Sequence, residues 1–281
     1  MKKVAIIQDM SSFGKCSLTA AIPVLSVMGV QAVPLPTAIL TSQTEYPSYF
    51  CEDLTAKMSH FTDEWHKMGA TFDGIYTGFV TGKEQIENIF SFLHTFYKEE
   101  TTLLVDPVMG DRGHMYDVFT GELIGYMKEL AKRADVITPN VTECCLLTGL
   151  SYDKLQTYRT VEEYVAALED AGRQLQSDTN AKVIITGLNP PALSGTRRVG
   201  NLYIDGASSY HRLQEYNGKS YSGTGDLFAS VMMGGLMRGQ DPVETLELAE
   251  RFLTAAIQST SEERIPTEAG VNFESHLRML L

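Results

Sequence analysis

Tyr221-Ser222-Gly223-Thr224-Gly225-Asp226 runs directly into the apolar stretch Leu227-Phe228-Ala229. Two glycines and a hydroxyl precede one carboxylate, and the pattern predicts a helix start shaped to hold an anion. Gly223 and Gly225 can both take backbone angles closed to other residues, so successive N–H groups can converge on one phosphate oxygen. The positive end of the helix dipole adds to that attraction. A carboxylate in the first turn then lies within reach of a hydroxyl brought to the same phosphate, the arrangement phosphoryl transfer needs. The dipole also favours ionised Asp226 and so predicts a weak base, which suffices where positioning matters more than basicity. Ordinary turn and capping chemistry explains the same residues, since Asp is a preferred N-cap and Gly-Thr-Gly suits any turn.

Two further stretches carry acids near predicted strand ends. Asp106-Pro107-Val108-Met109-Gly110-Asp111, with Gly113 after it, sets two carboxylates on a Pro and Gly turn. Mg2+ keeps much of its hydration and takes few direct carboxylates, so such a pair suits it through water; a solvated turn is the alternative. Gly110 and Gly113 would let this loop close over a substrate. In Thr138-Pro139-Asn140-Val141-Thr142-Glu143 a helix is expected after Asn140, with Glu143 at capping-box spacing. The same spacing points Glu143 toward the edge that holds Asp106.

The elements that must position these residues follow from apolar periodicity. Short apolar runs at Val4–Ile7, Val30–Pro34, Gly74–Thr77, Thr102–Val105, Asp135–Thr138 and Lys182–Thr186 read as strands. Helical patterns fall at Ser17–Met28 and Glu84–Phe96, and the spacing elsewhere leaves room for crossover helices. The alternation predicts an α/β fold with a mainly parallel sheet covered by helices on both faces. Ligands bind at the carboxyl ends of such strands, which groups Asp9, Gly78, Asp106, Asn140 and Thr186 along one edge. Turn residues Pro190, Pro191, Ser194 and Gly195 then lead to two antiparallel strands, Arg198–Ile204 and Ser208–Leu213.

Composition limits the partners. The chain has 281 residues, 43% hydrophobic, enough for one large core, and is read as a single domain over 1–281. A net charge of -12 opposes binding to nucleic acid or an anionic membrane, so a small anionic substrate needs a local cationic or metal-lined site. The 4 cysteines show no CxxC spacing and read as reduced thiols, and no run approaches the ~20 apolar residues of a membrane span. A cytoplasmic protein is expected. Gly14-Lys15 falls short of a Walker A loop, and no GxGxxG opens the first helix.

Taken together, these three stretches resemble the pyridoxal kinases of the ribokinase-like superfamily. The resemblance rests on Asp106 to Asp111 with Met115-Tyr116, on Ala134 to Asn140 with Glu143 and Leu146-Leu147-Thr148-Gly149, and on Gly223 to Ala229. It covers nearly the whole chain and implies a three-layer α/β/α fold. It implies that Asp226 is the general base facing a hydroxymethyl group and that Gly223, Thr224 and Gly225 form the anion hole. Asp106, Asp111 and Glu143 match positions near Mg2+ and its waters. Asn140 and Thr186, with Asp106, match the surroundings of the ATP phosphates, and Thr44 matches a residue beside the pyridine ring. Family members also commonly use a monovalent cation such as K+ and form homodimers.

The chain departs from that family where the ring would bind. Gln8-Asp9 and Phe13-Gly14 replace the usual Gln-Ser and Tyr-Gly, and Phe79 stands where Tyr is common. Asp9 resembles hydroxymethylpyrimidine kinases, in which the corresponding acid faces the ring; capping of the next turn is its structural alternative. The leading expectation is phosphorylation of a B6 vitamer, with hydroxymethylpyrimidine as the rival substrate. A catalytically silent ligand-binding protein of the same fold is the non-enzymatic rival.

Overall fold

The computed structural model describes residues 1–117, 119–191, 195–216 and 218–281; Ser194, among the predicted turn residues, lies outside them. In chain order the elements begin with β1 (Lys3–Ser11), α1 (Ser17–Val27), β2 (Gln31–Leu40), β3 (Cys51–Asp53), α2 (Thr55–Lys67), β4 (Gly74–Thr77), α3 (Lys83–Phe96) and β5 (Thr102–Val105). Next come β6 (Gly110–Asp111), β7 (His114–Met115), α4 (Gly121–Ala131), β8 (Val136–Ile137), α5 (Val141–Thr148), α6 (Tyr152–Leu155) and α7 (Val161–Thr179). The chain closes with β9 (Lys182–Leu188), β10 (Arg198–Asp205), β11 (Ser208–Glu215), α8 (Thr224–Met237) and α9 (Pro242–Glu262), followed by two short 3-10 turns. The chain divides into two compact units, one of residues Met1–Leu103 and Lys219–Leu281, the other of residues Leu104–Gly218.

In the first unit the strands lie in the order β4-β1-β2-β3, with β1 parallel to both β2 and β4 and the short β3 antiparallel at the edge. Val4, Ala5, Ile6 and Ile7 are wholly buried, which is why this strand reads as an unbroken apolar run. Both β1 and β2 run further than their apolar runs suggest. β1 continues to Ser11 because Met10 and Ser11 pair with Ile39 and Leu40, after a register shift between Gln8 and Met10. β2 carries Pro34 and Pro36 yet persists, because β3 covers only Ala38 to Leu40 and leaves the prolines where no second neighbour needs their missing N–H. Trp65, Phe72, Phe92 and Phe96 pack ring to ring at α2 and α3, the three phenylalanines in the core and Trp65 half-buried at its margin.

In the second unit the order is β11-β10-β9-β8-β5, with β5, β8 and β9 parallel and β10 and β11 antiparallel as expected. Asn140, past the end of β8, extends the parallel pairing by one isolated bridge to Thr186 within β9. Two of the residues assigned to one strand edge are thus neighbours across the ladder.

In the first unit α8 approaches its neighbours closely through glycine. A Cβ on Gly235 would collide with Thr245 of α9, a buried β-branched side chain with little freedom to move aside. Gly235→Ala should therefore destabilise the fold by about 1–3 kcal/mol despite alanine's better helix propensity. A urea-unfolding midpoint equal to that of the unaltered protein would contradict this packing.

Candidate active site

The first unit gathers Asp226, Asp9, Cys16, Ser11 and Ser17. Gly223 stands at the N-cap of α8 with φ 78 and gives no side-chain cap, so the first N–H groups of the helix are left for another acceptor. A Cβ there would strike the Lys15 carbonyl, so Gly223 is needed both for its angle and for its lack of bulk. Gly225 differs from the expectation: it is an ordinary helical residue, and a Cβ on it meets nothing within 4 Å. Its contribution is open space beside the helix start. Thr224 turns its hydroxyl back to the Tyr221 carbonyl at 3.1 Å.

Asp226 occupies the first turn of α8, as the sequence suggests, but its proton affinity runs against the expectation. Loss of water around the half-buried carboxylate pushes its pKa up to about 7, against the opposing influence of the Ser17 backbone, and the charge of Asp9 adds to the rise. Desolvation therefore outweighs the stabilisation that a helix N-terminus offers an anion. The result is a stronger base than the dipole alone predicts.

Asp9 lies within β1 at the register shift, and it does not cap a turn. It is 4% exposed and accepts hydrogen bonds from Ser17 Oγ at 2.6 Å and Ser11 Oγ at 2.8 Å. Burial raises its pKa and the two hydroxyls hold it back. Bulges of this kind re-aim side chains beside active sites. The Cys16 thiol, buried nearby, is pushed up by its surroundings and by the charges of Asp226 and Asp9, which leaves it an inert thiol. Sequence reasoning passed over Ser11 and Ser17; Ser17 was visible only as a helix start.

In the second unit Asp106 and Glu143 face one another in a buried setting, 6% and 3% exposed. The capping box forms as its spacing predicts: Asn140 Oδ1 accepts from the Glu143 N–H at 3.0 Å, and Glu143 Oε2 accepts from the Asn140 N–H at 2.7 Å. Glu143 Oε1 accepts from the Met109 N–H at 3.1 Å, and Thr138 Oγ1 donates to Asp106 at 3.1 Å. Burial, then the charge of Asp106, pushes the Glu143 carboxyl well above the ordinary glutamate value. A cation fits such a pair, because it would relieve the repulsion that now favours protonation. Among the described residues no three His, Cys, Asp or Glu side chains form a direct ligand set, and Asp111 is an exposed residue paired with its neighbour Arg112.

The loop between Gly110 and Gly113 is pinned where mobility was expected. Asn140 Nδ2 donates to the Gly110 carbonyl, the Gly113 N–H donates to Thr142 Oγ1, each at 2.8 Å, and β6 pairs with β7. The glycines serve the tight hairpin, since a Cβ on Gly110 would hit the His114 carbonyl and one on Gly113 would press on the Tyr152 ring. Thr44 is exposed on a turn anchored by buried Gln43, and Phe79 is half-buried just past β4; neither makes a side-chain hydrogen bond to Asp226 or Asp9.

The profile of the family described as phosphomethylpyrimidine kinase matches residues 12–270. The chain belongs to that family. A crystal structure from Bacteroides thetaiotaomicron, of a provisionally named phosphomethylpyrimidine kinase in a form with pyridoxal, is 35% identical with a TM-score of 0.88, covering 99% of this chain and 95% of that one. The pyridoxine/pyridoxal/pyridoxamine kinase of Bordetella pertussis is 27% identical over 92% of this chain and 89% of that protein. The hydroxymethylpyrimidine/phosphomethylpyrimidine kinase of Aquifex aeolicus is 24% identical over 89% of this chain and 91% of that protein. The chain is thus an ATP-dependent phosphotransferase with the ribokinase-like architecture, a mainly parallel sheet with helices around it. Among the described residues no helix of this kinase is long and apolar enough to cross a membrane.

Because Asp226 binds its proton more tightly when folded, its ionisation weakens the fold as pH rises from its reference value of 3.8 through about 7. Asp226→Asn removes that loss. Its melting temperature should exceed that of the unaltered kinase at pH 8, with the gain vanishing near pH 4; an equal gain at both pH values would contradict the raised proton affinity of Asp226.

Proposed function

We propose that this kinase transfers the γ-phosphoryl group of ATP to the hydroxymethyl group of a B6 vitamer, pyridoxal, pyridoxamine or pyridoxine, with residues 1–281 acting as one kinase domain. The observation that carries this reading is Asp226, held near pH 7 in the first turn of a helix whose N-terminal N–H groups lack a side-chain cap. The carboxylate accepts the hydroxyl proton as the oxygen attacks phosphorus, and the N–H groups at Gly223, Thr224 and Gly225 receive the equatorial oxygens of the transferred group. Asp106, Glu143 and Asp111 are the residues that would hold Mg2+, whose charge would neutralise the phosphates. Asn140 and Thr186 serve the nucleotide phosphates. Thr44, Phe79 and Asp9 line the ring site.

Both B6 and pyrimidine kinases are among the relatives, and Asp9 is the residue that favours the second reading, a hydroxymethylpyrimidine kinase. A buried carboxylate suits a protonated ring nitrogen or an exocyclic amine, which pyridoxamine and the aminopyrimidine each offer. Membership of a kinase family and the intact Gly-Thr-Gly-Asp sequence support turnover over silent ligand binding. A homodimer, use of K+ and a cytoplasmic location rest on the resemblance to pyridoxal kinases.

The deciding assay is ADP release with MgATP and each of pyridoxal, pyridoxamine, pyridoxine and hydroxymethylpyrimidine, with ribose as control. A B6 vitamer should give the highest kcat/KM; preference for the pyrimidine would replace the leading reading with its rival. Asp226→Asn should lose about 10²-fold or more in kcat while retaining ATP affinity, and near-normal turnover would exclude the base role. In the unaltered enzyme kcat/KM should fall as pH drops through about 7, where Asp226 takes up its proton. Asp9→Asn removes a like charge and should carry that fall to lower pH. Gly225→Ala should fold normally yet lose turnover, since its methyl group enters only the open space at the helix start.

A further inference from the structure

The loop between β1 and α1 is caught between two glycines. A Cβ on Gly223, at the start of α8, would strike the Lys15 carbonyl, and one on Gly270 would strike the Gly14 carbonyl and press on Lys15 Cβ. Lys15 itself is left-handed, with φ 51. A non-glycine residue keeps such a backbone only where its surroundings enforce it. Lys15 meets those surroundings at both ends. Its carbonyl faces the helix start, while its side chain runs past Gly270 to donate from Nζ to Asn272 Oδ1 at 2.6 Å and to Glu274 Oε2 at 2.9 Å.

The segment that receives Lys15 is fixed from elsewhere in the first unit. The Asn272 N–H donates to Thr260 Oγ1 at 2.9 Å and Asn272 Nδ2 donates to Glu263 Oε2 at 2.6 Å, which ties Asn272 to the end of α9. Val271, Phe273 and Leu280 are buried and seat the segment in the core. It also reaches the helix start directly, since the Ser222 N–H donates to the Thr267 carbonyl at 3.1 Å. We propose that Lys15 is a positioning residue for the phosphoryl-binding start of α8: anchored on Asn272 and Glu274, it holds its own carbonyl against Gly223 and so fixes where the N–H groups of Gly223, Thr224 and Gly225 point. The proposal rests on the anion-binding role given above to those N–H groups. In this role the lysine charge serves the anchor and acts on the phosphoryl group only through the backbone.

Lys15→Met keeps the length of the side chain and removes the anchor. Misplacing a catalytic group from a distance lowers turnover, so kcat should fall about 10-fold, with KM for ATP and for the hydroxymethyl acceptor each within about 2-fold of the unaltered kinase. Glu274 is exposed and ion pairs of that kind add little to stability, so the melting temperature should move by no more than about 4 °C. The Asn272→Ala/Glu274→Ala protein should show the same kcat, and adding Lys15→Met to it should cost nothing more. An additive loss, or a lowered melting temperature with kcat intact, overturns the proposal. The anchor can also be read without turnover. In protein carrying 15N-glycine the Gly225 amide, identified by its loss in Gly225→Ala, should shift in Lys15→Met and move to the same position in Asn272→Ala/Glu274→Ala. An unmoved resonance in folded Lys15→Met overturns the proposal, and should that variant fail to fold, the Asn272→Ala/Glu274→Ala protein reads the tie from its other end. The amide reports the anchor even if the unaltered protein phosphorylates none of the acceptors, so failure of the proposed function and failure of the Lys15 anchor give different results.

Discussion

Removal of water from the Asp226 carboxylate is the constraint around which the first unit is arranged. A helix N-terminus stabilises an anion, and an aspartate in its first turn would ordinarily be the more acidic for it. Here loss of hydration around the half-buried group prevails, and the pKa rises to about 7. The close approach of Gly223 to Lys15 and Cys16, where a Cβ would strike the Lys15 carbonyl, sets the start of α1 against the start of α8, which carries Asp226 in its first turn.

The second unit solves a related problem in the opposite way. Asp106 and Glu143 are buried together, and their mutual repulsion is opposed by donors: Thr138 to Asp106, and the N–H groups of Asn140 and Met109 to Glu143. These same bonds fasten the 106–113 loop to the start of α5, so the fastening of the loop and the electrostatics of the acid pair share their contacts. Glu143, the capping residue, thereby also sits in the acid pair with Asp106.

Reaction class and substrate identity rest on different parts of the molecule. In the reading proposed above, the helix start at Gly223 to Asp226 carries the reaction class, which family membership supports in general terms. In the same reading the choice between a pyridine and a pyrimidine ring falls to Asp9, held by the hydroxyls of Ser11 and Ser17, and to Phe79, which brings no phenol hydroxyl.

Periodicity in the sequence was enough to place β4 and β5 to the residue, to start α5 after Asn140 and to put Asp226 in a first helical turn. Those features depend on local patterns: apolar runs, glycine, and the three-residue spacing of a capping box. The bulge at Asp9, the hydroxyls of Ser11 and Ser17 on its carboxylate and the raised proton affinity of Asp226 are not local. Each depends on segments brought together by packing, and no pattern around Asp9 or Asp226 announces it. The dipole argument erred at Asp226 for the same reason, because charge near a helix end is written in the sequence whereas exclusion of water is not. Composition and motif spacing determined the class of chemistry; packing decided which carboxylate is basic, which hydroxyls hold Asp9, and that the Gly110–Gly113 loop is a pinned hairpin, since desolvation and steric fit exist only once the chain has folded.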